Sequence, residues 1–411
     1  MVGVSLYTLA DTFFISVAGG ADGITILNLC LPIYGVIFAI AGMIGVGSAT
    51  RYVLAKSSGA MGYEHYFFNA VIFCFIFGIP FVIVGLVNPA AALRLMGADA
   101  TIAAMGQGYA RLFMIFTPFF MLNMVCNAFT RNDNAPTTAM LATLLSSLFN
   151  IVFDYVFVFP MGMGIKGAAL ATGISPVLGT AICLTHLMGH KNTVEFKPCW
   201  PRLGMLVKSC QLGIAAFVGE ISSAVTTMVF NFLLLAYIGN IGVAAYGVIA
   251  NLALVGTAIF NGLAQGAQPL FSKSYSQGNT SDSRLLLRMA IITGLALSAA
   301  IIGLCYGFTD GMIGIFNSEG SAQLAALAHP GLRLYCLGYL FASINIVVTG
   351  YFGATGKAGP AFVASIMRGI VAISLAAILI TSIFGIGYIW LAFLASEAIT
   401  LAVELVLARL S

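Results

Sequence analysis

Charge is what this sequence has least of. Of its 411 residues 7% are charged, against about 25% in an ordinary soluble domain, and 60% are hydrophobic, so polar surface is too scarce to coat a water-soluble particle. Cysteine pairing is also missing. The eight cysteines form no CxxC pair, and Cys30, Cys74, Cys126, Cys183, Cys305 and Cys336 lie in apolar runs, which points to small apolar filler rather than to disulfides or metal ligands. The four histidines are scattered; His186 and His190 are spaced i, i+4 but lie at a helix end beside Lys191, so no metal centre is expected there. Nucleotide chemistry lacks its motif: GATGKAG, Gly353 to Gly359, has neither the spacing nor the Ser or Thr of a phosphate loop. An intramembrane aspartyl protease would want Gly-x-Gly-Asp, and the chain offers Gly162, Met163, Gly164, Ile165. No enzyme and no cofactor are expected.

What is present is a succession of apolar stretches of the length a helix needs to cross a bilayer, without the short alternation of barrel strands. Twelve spans are expected: Met1 to Val17, Ile24 to Val46, Tyr66 to Val87, Met105 to Ala128, Thr137 to Phe159, Ile165 to Leu187, Leu206 to Ile238, Val243 to Leu270, Leu286 to Phe308, Leu332 to Phe352, Ala361 to Ile383 and Ile386 to Leu407. Arg51, Lys56, Arg131, Lys191, Lys197, Lys273, Arg284 and Lys357 fall with one alternate set of loops, and Arg94, Arg111, Lys166 and Arg333 with the other, which predicts that both termini face the cytoplasm. This topology explains the net charge of +4 without nucleic acid. Met1 enters an apolar run with no basic flank, so no cleavable signal peptide is expected, and the short first span points to a truncated first helix or a start upstream of Met1.

The chain is written twice. An offset of 219 carries Gly20, Gly23, Gly47, Ser57 and Gly59 to Gly239, Gly242, Gly266, Ser276 and Gly278, and an offset of 222 carries Arg111, Leu112, Phe119 and Asn123 to Arg333, Leu334, Phe341 and Asn345. Each copy holds six spans, so both share one orientation about an axis along the membrane normal. The expected architecture is an all-α polytopic membrane protein of twelve helices in two pseudo-twofold-related six-helix bundles flanking a cleft. Residues 1–189 form the first lobe, 190–204 a cytoplasmic linker containing HKNTVEFKPCWPR, and 205–411 the second lobe.

Acids inside apolar spans are functional candidates by default. At 1.5 Å rise per residue, Asp11 and Asp154 both lie about 9 Å below the outer face and Thr172 about 12 Å below it, while Asn150 is one turn from Asp154 on the same face. Two carboxylates, an amide and a hydroxyl at one depth suit Na⁺ or a bound proton; the plainer alternative is that each acid is capped and holds helices together. Glu220 sits deeper, in the other bundle, as a second acid or a contact for cationic substrates, with helix packing an equal alternative. Arg368 and Glu404 lie at similar depth and predict an ion pair between the last two spans. GMIGVGSAT, Gly42 to Thr50, reads as close helix packing.

YTLADTFFIS, GVGSAT, RNDNAP, NIVFDYVFVF, GIKGAALAT and GAQPL together resemble the multidrug and toxic-compound extrusion (MATE) family over the whole chain. The resemblance implies a MATE-like fold and a proton- or sodium-driven antiporter that exports amphipathic, often cationic drugs or toxic metabolites by alternating access. It places the cation site at Asp11, Asn150, Asp154 and Thr172, with Glu220 resembling the seventh-helix acid of some branches. It further implies small-molecule substrates, a multi-pass protein of the prokaryotic plasma membrane, and a monomer, with no cofactor beyond H⁺ or Na⁺. The alternative within the superfamily is a flippase for a lipid-linked precursor. The tenth span, GLRLYCLGYLFASINIVVTGYFG, departs from relatives with an acid there, which makes a cation site in the second lobe doubtful.

Overall fold

The computed structural model describes residues 2–316 and 321–410, and every regular element among them is a helix. In chain order these are α1 (Val2–Ser57), α2 (Tyr66–Val87), α3 (Pro89–Leu95), α4 (Ala100–Ile115), α5 (Thr117–Asn132), α6 (Pro136–Val158), α7 (Ile165–Leu187) and α8 (Leu203–Tyr237). They continue with α9 (Asn240–Ser276), α10 (Thr280–Gly307), α11 (Thr309–Phe316), α12 (Ala322–Cys336), α13 (Tyr339–Ala354), α14 (Ala358–Ile366), α15 (Ala372–Phe384) and α16 (Leu391–Leu410). Among the described residues ten helices are long and apolar enough to cross a membrane, or eleven when the pair α12 and α13, bent by 46°, counts as one span. The stretch of α1 before Gly20 precedes them.

Local chemistry sets the breaks. Gly20 (φ 58°, ψ −146°) interrupts α1, and its repeat partner Gly239 (φ 85°, ψ −162°) separates α8 from α9 with a similar backbone, a conformation that a side chain would oppose. Asn88, Asp99, Asn279 and Ser321 cap α3, α4, α10 and α12 through their side chains. The fourth span divides at Phe116, the cap between α4 and α5, with Pro118 in the next turn; the tenth divides at Leu337 and Gly338, at the same place in the repeat. In RNDNAP, Asn134 takes the left-handed conformation (φ 57°) and Pro136 opens α6.

The chain divides into two compact units, 1–217 and 218–411, with the division inside α8. In the first, α6 packs along α7, α1 lies against α5 and α6, and α5 against α7. Its core includes Tyr109, Phe113 and Phe129. GMIGVGSAT provides a close crossing: a Cβ on Gly47 would lie 2.0 Å from Ser209 O, and one on Gly213 1.9 Å from Met43 O, so α1 and α8 meet backbone to backbone. In the second unit α13 packs on α9, α10 and α16, around a core that includes Phe230, Phe260 and Trp390. Faces such as that of α2, which leaves Phe75, Ile76, Ile79 and Ile83 exposed, are suited to lipid.

The polar stretch after α7 is bound to the first unit. Asp133 accepts from Thr193 N at 3.0 and 3.2 Å and from Thr193 Oγ1, and lies 2.8 Å from His186 Nε2. Lys197 pairs with Glu64 at 3.1 Å, while Asn69 exchanges two bonds with the Arg202 backbone, at 2.8 and 3.3 Å. His186 thus serves as a hydrogen-bond partner of Asp133, which explains part of the RNDNAP motif.

Candidate functional site

Asp11 is carried by α1, Asn150 and Asp154 by α6, and Thr172 by α7, the helices that pack tightly in the first unit. All four are buried, Asp154 and Asn150 completely. The Asp11 and Asp154 carboxyls face each other within hydrogen-bonding reach. Asn150 ties the group together: with its amide nitrogen donating to Asp154 Oδ2 (3.2 Å), its oxygen accepts from Thr172 Oγ1 (3.1 Å) and Thr172 N (3.3 Å). Pro176, one turn after Thr172, has no N–H to offer the Thr172 carbonyl, and Ser175 Oγ donates to it instead at 3.2 Å. Polar chemistry is thus built into α7 opposite the acids.

One oxygen of each acid, Oδ1 of Asp11 and Oδ1 of Asp154, is buried without a hydrogen-bond partner. An unsatisfied buried carboxylate is costly, and two ionised carboxylates facing each other repel. Tyr7, one turn before Asp11, and the phenols of Tyr34 and Tyr109 lie within electrostatic range of Asp11. Sequence reasoning passed over these tyrosines, although the spacing of Tyr7 and Asp11 places them on one helix face.

Glu220 lies on α8. It belongs to the second unit, where its side chain is exposed on α8 and makes no hydrogen bond or ion pair among the described residues.

The ion pair expected between Arg368 and Glu404 is not the one formed. Arg368 Nε donates to Glu397 Oε1 at 2.8 Å, and Glu404 Oε1 accepts from Thr349 Oγ1 at 2.8 Å. Depth counted along a regular helix omits the π-helical turn Met367–Val371, which resets the face from which Arg368 projects. Glu397 is also held by Asn345 Nδ2 at 2.7 Å, giving the second unit a buried polar cluster assembled around acids of α16 rather than of the tenth span.

Among the described residues no group of three or more His, Cys, Asp or Glu side chains is placed to hold a metal ion.

An all-helical, polytopic fold with buried acids and a doubled sequence defines a membrane transporter class, and comparison narrows it. The MatE family model matches residues 1–156 and 215–378, and the chain belongs to that family. It is 25% identical over 407 residues to the multidrug export protein MepA of Staphylococcus saprophyticus, covering 98% of this chain and 89% of that protein. It is 26% identical over 409 residues to the MepA of Staphylococcus aureus strain MRSA252, with the same coverage. A solved structure described as the outward-facing conformation of a multidrug resistance MATE family transporter of the MOP superfamily superposes with a TM-score of 0.92 at 21% identity, over 100% of this chain and 93% of that one. That likeness carries the fold.

Proposed function

We propose that this protein is a cation-coupled antiporter of the prokaryotic plasma membrane, working as a monomer with both termini cytoplasmic, that exports amphipathic, often cationic small molecules by alternating access. The observation that carries the coupling is the facing pair Asp11 and Asp154, each with one unpartnered buried oxygen. Direct contact between carboxyls favours a proton as the coupling ion, because one carboxyl then donates to the other without an intervening ion. Proton uptake removes the repulsion between α1 and α6; proton loss restores it, so the two states of the pair favour different packings of the first unit. Family membership and the multidrug-export relatives support the substrate class. Glu220, exposed and with no hydrogen-bond or ion-pair partner among the described residues, is the proposed contact for the cationic part of a substrate. A flippase of lipid-linked precursors would want cations to hold phosphates, and the buried centre here is acidic.

Export of a fluorescent cationic dye from inverted vesicles, driven in turn by a pH gradient and by a Na⁺ gradient, tests this reading. The pH gradient alone is expected to suffice. Asp154→Asn and Asp11→Asn should each abolish driven export while leaving expression intact, and the double variant should be little worse than either. Normal export by a well-folded Asp154→Asn variant would overturn the proposal.

A further inference from the structure

The second unit contains a buried acid that the first-unit mechanism does not use. Glu404, on α16, is 1% exposed. Its Oε1 accepts from Thr349 Oγ1 on α13, and its Oε2 has no partner. One turn before Thr349, Asn345 is fully buried and donates to Glu397 Oε2, leaving its own Oδ1 unpartnered. Two rungs therefore link α13 to α16, Asn345 to Glu397 and Thr349 to Glu404, and each leaves one oxygen unsatisfied.

The charges around this ladder are unequally shared. Arg368, from the π-helical turn, spends its Nε on Glu397. From α12 the Tyr335 ring stacks on Phe393 of α16 at 4.3 Å, and α14 and α15 bring no titratable side chain. Glu397 thus has a cation and an amide to stabilise its charge, whereas Glu404 has one neutral hydroxyl. A buried carboxylate with a single donor is much better accommodated as the acid.

We propose that Glu404 is a second proton-binding site, housed by α13 and α16 and distinct from Asp11 and Asp154, and that it takes up and releases a proton during transport. A proton from water forms the O–H bond at Oε2, and its return to water on the other side breaks that bond; no other bond changes. The Arg368 side chain is 25% exposed, and π-helical turns of this kind are frequent at functional sites. Gly369 within the turn lies against Ser222 of α8, where a Cβ would meet Ser222 Oγ, so movement of the turn is felt on the helix that carries Glu220. The transport part of this proposal rests on the antiport reading; proton binding does not.

Infrared difference spectroscopy of the purified full chain across a pH titration separates the two. A protonated-carboxyl band that appears and disappears with pH is expected in the Asp11→Asn, Asp154→Asn double variant and is lost when Glu404→Gln is added. Thr349→Val keeps the acid and should move the midpoint of that band to higher pH, because the ionised form loses its only donor; it also serves if Glu404→Gln fails to fold. In proteoliposomes Glu404→Gln should lower by one the protons moved per substrate. A band unaffected by Glu404→Gln and Thr349→Val, one present at every pH, or an unchanged proton count would each overturn the proposal. A chain that fails to couple export to protons but keeps the Glu404 titration would overturn the antiport reading instead.

Discussion

Asn150 bears the most interactions in the first site, because a single amide joins Asp154 on its own helix to Thr172 on the next. Removing it leaves a buried acid without its donor and a buried hydroxyl without its acceptor. Asn150→Ala should cost about 1–3 kcal/mol, read as a lower melting temperature in detergent, and should impair dye export; Thr172→Ser should be tolerated where Thr172→Val is not. The Arg368–Glu397 pair makes a different demand. Removing one partner strands a charge in the membrane, at a cost of about 3–5 kcal/mol for a fully buried pair, reduced here because Arg368 is partly exposed. Arg368→Met should therefore melt lower than wild type, and adding Glu397→Leu should restore part of the loss. A double variant that melts lower than the single would show that the pair is not the stabilising unit.

At the scale of elements, the repeat places identical residues in unlike surroundings. Gly47 sits where α1 crosses α8, with backbone atoms 2.0 Å from where its Cβ would be, whereas its partner Gly266 on α9 has nothing within 4 Å. Gly47→Ala forces the helices apart and should cost about 1–3 kcal/mol or more. Gly266→Ala adds a good helix former in open space and should change stability by less than about 1 kcal/mol. Size-exclusion profiles of the heated variants compare the two directly; equal losses would mean that the crossing of α1 and α8 is not tight. The same logic explains why both halves break their fourth span at one place, at Phe116 and at Leu337–Gly338: a local backbone signal was duplicated along with the sequence.

For the whole molecule, the stretch 190–202 matters most. It is polar, yet Asp133, Glu64 and Asn69 hold it to the first unit, so it is a fixed strap rather than a free tether. Cys199 lies on it, partly exposed, and is the one cysteine of the eight outside a helix. Under the proposed orientation the strap is cytoplasmic. A membrane-impermeant maleimide should label Cys199 in inside-out vesicles and not in intact cells, and Asp133→Ala, which releases Thr193, should speed that labelling. Labelling from outside would reverse the orientation.

The sequence by itself determined the properties that depend on composition and on distance along the chain. The poverty of charge required a membrane, the long apolar runs called for membrane-spanning helices, the offsets of 219 and 222 exposed the duplication, and rise per residue put Asp11, Asp154 and Thr172 at comparable depth. Neighbours across helices were beyond its reach, because depth says nothing about the direction in which a side chain projects. Only the tertiary structure paired Arg368 with Glu397 instead of Glu404, since a π turn and the grip of Asn345 decide that direction. It also drew His186 to Asp133, a contact between residues far apart in the chain that packing alone brings together.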